Sequence, residues 1–339
     1  MKVGIIGTGA IAQIHAKAYG NIGYQIAACT NTTEEVGRTF ARAHNAEYVK
    51  TYQEVCEHPD VDYVDVCTFP NFRLPPLDVC AKAKKHILVE KPIATKLDTA
   101  REMVEKSRTA QIQLGVVSQH RFADGPRFLK KAISAGRLGR ILQADAYVKW
   151  YRSAEYYSRS IKGSWQTEGG GALINQAIHQ VDLLLWLAGP VKELFAYWQL
   201  GALHKIESED IVSVLLSYTS GATGVIQAST ALWPGYADRI EVHGTKGTAI
   251  LVGDNLTVWD VQGDSGEGVS IEKGGLAGSS NPLAISLAPF ERQFLDFGEA
   301  IRGGGKPLVS GQEGYQALEV VLAAYRCCRE KTTISLSTA

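Results

Sequence analysis

Apolar and polar positions follow two different periods over the first 120 residues. Short apolar runs, typical of buried strands, are separated by segments in which apolar residues recur every three or four positions, as in helices. Strands are predicted at 2–6, 25–30, 47–50, 63–68, 86–90 and 112–117. Helices are predicted between them, at 10–20, 33–44, 51–57, 73–84 and 96–108. This order predicts an α/β fold with a doubly wound parallel sheet and right-handed crossovers.

The pattern changes after residue 120. The elements predicted from there on are a helix at 123–136, a strand at 141–150, an apolar helix at 171–187, several strands within 193–260, and helices at 289–302 and 312–328. The Gly-, Ser- and Pro-rich stretch 261–289 predicts a long surface loop. We therefore predict two domains, 1–120 and 121–339, the second an α+β domain on a mostly antiparallel sheet.

Composition excludes several classes of partner. The 339 residues include 35 basic and 35 acidic side chains, so net charge gives no reason to expect nucleic acid or an anionic membrane. No apolar run approaches the roughly 20 residues needed to span a bilayer. The sequence enters a strand directly, so we expect no signal peptide and a cytoplasmic protein. The six cysteines lack metal-binding spacing, and we expect reduced thiols and no metal.

The first predicted strand turns on glycines directly into a helix. Gly7-Thr8-Gly9-Ala10-Ile11-Ala12 has the G-x-G-x-x-A spacing of a dinucleotide-binding turn, in the strand–turn–helix context that the motif requires. Gly7 allows the tight turn, and Gly9 lets the backbone approach a pyrophosphate. The helix N-terminus then offers unpaired N–H groups and a positive dipole end to the phosphates.

Two further segments follow predicted strands, where ligands bind in a doubly wound sheet. Thr68-Phe69-Pro70-Asn71 places polar groups near a nucleotide ribose, although a simple Pro-Asn turn explains it equally well. Glu90-Lys91-Pro92 delivers a lysine to the same edge. A surface lysine is the alternative, but three preceding apolar residues and the following proline argue against it. Lys91 is therefore a candidate for proton transfer or for orienting a hydroxyl.

The helix at 171–187 carries a polar stripe. Asn175, His179, Asp182 and Trp186 are spaced to share one face, and the other positions are almost wholly apolar. Polar groups in a buried helix belong either to a satisfied network or to a site lining a cleft. The preceding triple glycine, which lets backbone approach a ligand, favours a site. Histidine can act there as a general base because its pKa lies near neutrality.

These segments together resemble the Gfo/Idh/MocA family of glucose–fructose oxidoreductases and inositol dehydrogenases over nearly the whole chain. The resemblance rests on G-T-G-A-I-A at 7–12, F-P-N at 69–71, E-K-P at 90–92, Q-H-R-F at 119–122 and G-G-G-A-L-I-N-Q-A-I-H-Q-V-D at 169–182. It implies a Rossmann domain followed by a C-terminal domain with a large open sheet, which binds substrate and assembles homodimers or homotetramers. It also implies NAD(P)-dependent hydride transfer between nicotinamide and a secondary hydroxyl or ketone of a sugar, glycoside or cyclitol.

The resemblance also assigns site residues. Lys91 and His179 are implied to be catalytic, and Asn175 stands where many members carry an aspartate that assists proton transfer. The positions expected to hold the cofactor are Gly7, Thr8, Gly9, Ala10, Ile11, Thr30, Asn31, Arg38, Thr68, Pro70, Asn71, Glu90, Lys91, Pro92 and Gln119. Those expected to hold substrate are Lys91, Arg121, Trp150, Arg152, Trp165, Asn175 and His179.

The end of the second strand bears on cofactor choice. Rossmann domains that prefer NAD usually carry an acidic residue there for the ribose 2′-hydroxyl. Here Thr30-Asn31-Thr32-Thr33 precedes the first acid, Glu34, and Arg38 follows one turn later. This favours NADP over NAD by a small margin. Two other functions remain open: a cofactor-retaining enzyme that cleaves glycosides through transient oxidation, and a non-catalytic dinucleotide sensor.

Overall fold

The computed structural model describes residues 1–158, 161–264, 266 and 286–336. They form two compact units. The first contains Met1–Gln119 and Ser286–Tyr315, and the second contains His120–Ile285 and Gln316–Ala339. The predicted division at residue 120 therefore differs from the structure by one segment, because residues 286–315 return to the first unit.

The first unit is built on a six-stranded parallel sheet in the order β3-β2-β1-β4-β5-β6, the doubly wound order of dinucleotide-binding folds. Its strands are β1 (Lys2–Ile6), β2 (Gln25–Thr30), β3 (Glu47–Tyr48), β4 (Tyr63–Val66), β5 (His86–Val89) and β6 (Leu114–Val116). The intervening helices are α1 (Ala10–Asn21), α2 (Glu34–His44), α3 (Tyr52–Glu57), α4 (Leu74–Ala83) and α5 (Leu97–Ala110). Each predicted strand is present within three residues at either end, so the predicted doubly wound sheet is confirmed.

Helix α9 (Ala288–Gly303) explains why the chain returns to this unit. Phe290, Phe294 and Phe297 are spaced along one face of the helix, and each is at most 1% exposed. Phe294 stacks on Tyr19 of α1 with ring centroids 4.2 Å apart, and Phe297 packs edge-on against Tyr63 of β4 at 5.1 Å. Burial of three phenylalanines stabilises this packing by several kcal/mol, on the order of 1.5–3 kcal/mol each.

The second unit is built on an eight-stranded sheet in the order β13-β12-β11-β7-β10-β9-β8-β14. Its strands are β7 (Ile141–Lys149), β8 (Val191–Leu200), β9 (Glu209–Tyr218), β10 (Thr223–Ser229), β11 (Arg239–Gly244), β12 (Gly247–Val252), β13 (Asn255–Val261) and β14 (Ile334–Ser335). All neighbours are antiparallel except β7 and β10, which are parallel. The predicted mostly antiparallel sheet is confirmed.

Helices complete the second unit. They are α6 (Asp124–Ser134), the short α7 (Ala154–Tyr157), α8 (Ile178–Ala188) and α10 (Gly311–Glu330), which begins in the first unit. The predicted helix at 171–187 is divided, because Leu173–Ala177 forms a π-helical turn before α8. Of the predicted loop 261–289, residue 265 and residues 267–285 lie outside the described residues.

Candidate active site

The glycine turn after β1 has the geometry that an anion-binding loop needs. Gly7 adopts φ +88°, a conformation that favours glycine, and its N–H donates to the Thr30 carbonyl at 3.0 Å. Gly9 is the N-cap of α1, and no side chain caps this helix. A Cβ at Gly9 would meet nothing within 4 Å. The turn therefore presents open space in front of uncapped N–H groups.

The end of β2 is tied to this turn. Asn31 Nδ2 donates to Thr8 Oγ1 at 2.8 Å, and Asn31 Oδ1 accepts from the Thr33 N–H at 2.8 Å. Arg38 Nε donates to Glu34 Oε1 at 2.6 Å, and both side chains are more than half exposed. Arg38, the predicted phosphate ligand, is therefore already paired with an acidic side chain of its own helix.

The segments after β4 and β5 are joined by a residue that the sequence did not identify. Arg73 is 2% exposed, and its guanidinium donates to the carbonyls of Glu90, of Thr68 (3.1 Å) and of Lys91 (3.3 Å). The hydroxyl of Thr68 donates to the Phe72 carbonyl at 2.9 Å. Arg73 therefore holds the F-P-N turn and the E-K-P segment together. In the sequence, Arg73 is distinguished only by its position, three residues after Pro70 and at the start of the next predicted helix.

Five other predicted positions occupy the same unit. Pro70 is buried and Asn71 is exposed, within a 3-10 turn at Pro70–Phe72. Pro92 is buried after a cis peptide bond, and Lys91 is half-buried. Gln119 is 6% exposed, and its Oε1 is a buried acceptor without a hydrogen-bond partner among the described residues. Because buried acceptors are normally satisfied, this orphaned oxygen fits a ligand that supplies a donor.

In the second unit, two residues of the polar stripe are less buried than their neighbours, whereas a third, Asp182, is only 4% exposed. Asn175 and His179 are half-buried, whereas most of their neighbours from residue 169 to residue 184 are buried. Asn175 Nδ2 donates to the Gly170 carbonyl at 3.2 Å. The π-helical turn lies between the glycines and α8, and π turns occur frequently at functional sites.

The triple glycine serves a different purpose from the one expected. A Cβ at Gly170 would collide with Tyr325, and one at Gly171 would collide with the Glu209 carbonyl. These glycines permit close packing against the unit's own residues, so the predicted approach to a ligand is not the reason for them.

Glu209 anchors the start of the π-helical turn. Its carboxylate accepts from the N–H groups of Gly171 (2.9 Å) and Leu173 (2.8 Å) and from the Tyr325 hydroxyl (2.7 Å). Burial raises the pKa of Glu209 to about 7, against the effect of these bonds. Sequence reasoning missed Glu209 and Tyr325. The signal available in the sequence was the polar run Ser208-Glu209-Asp210 directly before an apolar segment. The structure shows that all three residues are buried.

His120 and Arg121 of the Q-H-R-F segment contact α8. Arg121 donates to both carboxylate oxygens of Asp182, at 2.7 and 2.6 Å, and both side chains are almost fully buried. This pairing differs from the predicted substrate role of Arg121, because its guanidinium fork is engaged by Asp182. The His120 ring contacts the His179 ring edge-on at 4.8 Å, and His120 Nδ1 lies 2.6 Å from Asp254 Oδ1. His120 and Asp254 were not predicted, although His120 lies between two predicted positions.

Aromatic and cationic side chains connect the other predicted substrate positions to the π-helical turn. The Arg152 guanidinium lies over the rings of Trp150 (4.9 Å) and Tyr156 (5.6 Å), and the Tyr156 hydroxyl accepts from Gln176 Nε2 at 3.2 Å. The indole N–H of Trp150 is buried and has no acceptor among the described residues. This chain of contacts places Arg152 one side chain and Trp150 two side chains away from the π-helical turn that contains Asn175.

Trp165 has the contacts of a packing residue. Its indole N–H donates to the Glu207 carbonyl at 3.0 Å, and its ring packs on Trp198 and Tyr325. The predicted role of Trp165 in substrate binding is therefore not supported by its neighbours.

Among the residues that the structure describes, two groups of side chains have donor atoms within 4.8 Å of one another, the spacing of metal ligands. They are His15, Asp65 and Cys67 in the first unit, and Asp145, Glu241 and His243 in the second. Hydrogen bonds already engage both groups, for example His15 Nδ1 with Asp65 Oδ2 at 2.8 Å.

Among the described residues, no helix is long and apolar enough to cross a bilayer.

Comparisons with known proteins agree with this geometry. Residues 1–118 match the family model described as an oxidoreductase family with an NAD-binding Rossmann fold, and residues 127–250 match the GFO/IDH/MocA C-terminal domain. Myo-inositol 2-dehydrogenase of Thermotoga maritima is 30% identical, with 99% of this chain and 98% of that protein covered. The chain belongs to the GFO/IDH/MocA oxidoreductase family.

Two other relatives widen the range of substrates within this family. The 1,5-anhydro-D-fructose reductase of Ensifer adhaerens is 29% identical, with 95% of each chain covered. The WlbA dehydrogenase of Bordetella pertussis, solved with NADH and UDP-GlcNAcA, is 28% identical with a TM-score of 0.89, covering 100% of this chain and 98% of that one.

The first unit fits the dinucleotide that its family model names. The open position at Gly9, the uncapped N-terminus of α1 and the orphaned oxygen of Gln119 each suit a bound NAD(H). We therefore take this unit to be the NAD-binding domain of the oxidoreductase.

Proposed function

We propose that this protein is a dehydrogenase or reductase of a sugar or cyclitol, acting on a CH–OH group or the corresponding ketone. The proposal is carried by one sheet edge. The uncapped helix after β1 and Lys91 after β5 both follow the carboxyl ends of strands in one parallel sheet. Relatives named for inositol and anhydrofructose support the substrate class.

A nicotinamide cofactor, which the turn at Gly9 and the Gln119 side chain would hold, would supply the hydride chemistry of this mechanism. His179 takes the proton of the substrate hydroxyl during oxidation and returns it during reduction. Lys91 is proposed to stabilise the negative charge that develops on the substrate during oxidation. Asn175 orients the hydroxyl but cannot take a proton, because an amide does not titrate.

The substrate-binding surface is proposed to include Trp150 and Arg152. Sugar C–H faces pack on aromatic rings, and the Arg152 guanidinium can donate to hydroxyls or to a carboxylate. UDP-GlcNAcA, which was solved with the WlbA dehydrogenase, carries such a carboxylate.

Both nicotinamide cofactors are proposed to bind, with NADP favoured by a small margin. No acidic side chain lies in Thr30–Thr33 to repel a 2′-phosphate. The Arg38–Glu34 pair is exposed, and exposed pairs contribute only about 0–1 kcal/mol. Arg38 can therefore exchange Glu34 for a phosphate at little cost.

The open face of the second sheet is proposed to join copies of this chain into a homodimer or homotetramer. Tyr197 and Leu215 are 72% and 60% exposed, and Phe195, next to Leu215 across the β8–β9 ladder, lies on the same face. Large exposed apolar patches mark interaction surfaces.

The six cysteines carry free thiols, which supports the proposed cytoplasmic location.

The decisive experiment measures reduced-nicotinamide absorbance after mixing the protein with NAD⁺ or NADP⁺ and a panel of inositols, monosaccharides, anhydrosugars and glycosides. We expect turnover with one substrate class. Lys91→Ala and His179→Ala should each lower kcat by about 100-fold or more, with NADH affinity retained. Leu142→Ser, an exposed change on β7, is the matched control. Wild-type-like turnover in Lys91→Ala would contradict the mechanism.

Two other outcomes define the alternatives. Tightly retained cofactor with glycoside cleavage and no net nicotinamide turnover would indicate redox-assisted cleavage. Cofactor binding without turnover of any substrate would indicate a dinucleotide sensor.

A further inference from the structure

His15, in the middle of α1, is a fully buried histidine with both ring nitrogens engaged by acidic side chains. Nδ1 lies 2.8 Å from Asp65 Oδ2 at the end of β4, and Nε2 lies 3.1 Å from Glu90 Oε1 after β5. The ring packs against Phe290 and Phe294, with centroids 5.4 and 5.0 Å away. No role in the proposed mechanism accounts for this arrangement.

The two carboxylate contacts favour a charged ring. A neutral imidazole has one N–H, so one nitrogen lone pair would face a carboxylate, whereas an imidazolium donates to both. Burial disfavours the charge, but the combined charge and hydrogen-bond effects of Asp65 and Cys67 outweigh burial and raise the pKa of His15 well above its usual value. Burial also raises the pKa of the Tyr19 hydroxyl and of the Cys67 thiol, whose Sγ lies 3.5 Å from His15 Nδ1.

The Glu90 side chain connects His15 to the next residue, Lys91. Its second oxygen, Oε2, accepts from the Lys91 N–H at 3.0 Å, and its carbonyl accepts from buried Arg73. Burial alone would raise the pKa of Glu90, but the His15 bond and charge, followed by the charges of Lys91 and Arg73, lower it. Glu90 is therefore a carboxylate that the His15 ring holds next to the proposed catalytic lysine.

We propose that His15 is a positioning residue for Lys91: its imidazolium fixes the Glu90 carboxylate, and Glu90 fixes the backbone and the negative charge beside Lys91. The same helix begins at the Gly9 turn, so one rigid element carries both the cofactor cradle and the support of the lysine. This inference depends on the proposed function only for the role of Lys91 in catalysis. The charge arrangement itself can be tested without a substrate.

The test measures the pKa of Lys91 directly. Lysines are reductively methylated with ¹³C-formaldehyde and titrated by NMR, and the signal missing in Lys91→Arg identifies Lys91. Coupling between two charges is reciprocal, so Glu90→Gln should lower the pKa of Lys91 by about one unit. His15→Gln removes a nearby cation and should raise it by about half a unit. The opposite signs distinguish positioned charges from general loosening, which would move both variants alike.

Tyr19→Phe is the matched control. It removes the hydroxyl that donates to Asp65 Oδ2 at 2.8 Å and keeps the buried ring, so it perturbs the same network without touching Glu90. The pKa of Lys91 should stay within about 0.2 units of wild type, even if thermal stability falls. Equal shifts in all three variants, or none in Glu90→Gln, would overturn the proposal.

Measurements on the wild-type protein cover the case in which His15→Gln does not fold. Ring ¹⁵N shifts of His15 should show two protonated nitrogens at pH 7, and a neutral pattern would overturn the proposal. One equivalent of bound zinc, held by His15, Asp65 and Cys67, would also overturn it. If a substrate is found, kcat of a folded His15→Gln protein should fall about 10- to 100-fold, with NADH affinity within about three-fold.

Discussion

Gly7 and Gly9 are two residues apart, yet alanine should affect cofactor binding at one position and folding at the other. Gly9 has φ −78° and ψ −164°, which alanine adopts without strain, and its Cβ would project into open space. Gly7 has φ +88°, and its Cβ would lie 3.2 Å from the backbone of Cys67. Gly9→Ala should therefore impair cofactor binding alone, whereas Gly7→Ala should impair folding.

The magnitudes follow from these geometries. Gly9→Ala leaves the unliganded protein unchanged or more stable by about 0.4–1 kcal/mol, through a less flexible unfolded chain. Its methyl group occupies the space in front of the helix N–H groups, and each lost bond to a charged phosphate costs about 1.5–3 kcal/mol. The Kd for NADH should therefore rise about 10- to 100-fold. Gly7→Ala should cost about 1–2 kcal/mol from backbone strain before any clash is counted.

The assay pairs two readouts. Thermal unfolding without ligand reports the folding effect, and titration of NADH and NADPH fluorescence reports affinity. Wild-type affinity in Gly9→Ala would refute the position of the pyrophosphate in front of α1. A lower melting temperature for unliganded Gly9→Ala would refute the open space at its Cβ.

Three further changes test other parts of the structure. Arg38→Ala should raise the KM for NADP⁺ about three- to ten-fold and leave that for NAD⁺ unchanged, because only NADP⁺ offers a 2′-phosphate; equal effects would remove Arg38 from cofactor choice. Asn175→Asp replaces the donor to the Gly170 carbonyl with a titratable group. Circular dichroism should show that the variant folds, and its kcat/KM should fall at acidic pH as the new carboxylate is protonated. Burial raises the folded pKa of Glu209 to about 7, so its contribution to stability is complete below the unfolded pKa and lost as pH rises towards 7. Urea titrations at pH 5 and 8 should therefore show a loss about 3 kcal/mol larger in wild type than in Glu209→Gln, and equal losses would contradict the raised pKa.

The cofactor half of the molecule was predictable because its signals are local. A strand, a glycine turn and a helix within Lys2–Asn21 are encoded by adjacent residues, and alternating periods gave the parallel sheet. The polar stripe with Asn175 and His179 was also visible in the sequence, and the structure shows both side chains to be half-buried.

The remaining features depend on contacts between residues far apart in sequence. His15 meets partners 50 and 75 residues away, and Glu209 binds the turn at Leu173 from 36 residues away. The return of α9 to the first unit is equally non-local, because its phenylalanine face fits a surface formed by α1 and β4. The π-helical turn adds one residue per turn, which no regular period reveals.

Stability does not explain why charges are buried beneath the E-K-P segment. Replacing a buried ion pair with well-packed apolar side chains is often neutral or stabilising, since desolvation offsets the Coulombic attraction. The exposed Lys2–Asp60 pair shows how the same unit places a charge pair without desolvating it. Yet His15, Asp65 and Arg73 are at most 2% exposed, and two of them bond directly to Glu90. Bonds that converge on one short segment define its position, so the network is best explained by the geometry that it imposes on the lysine next to Glu90.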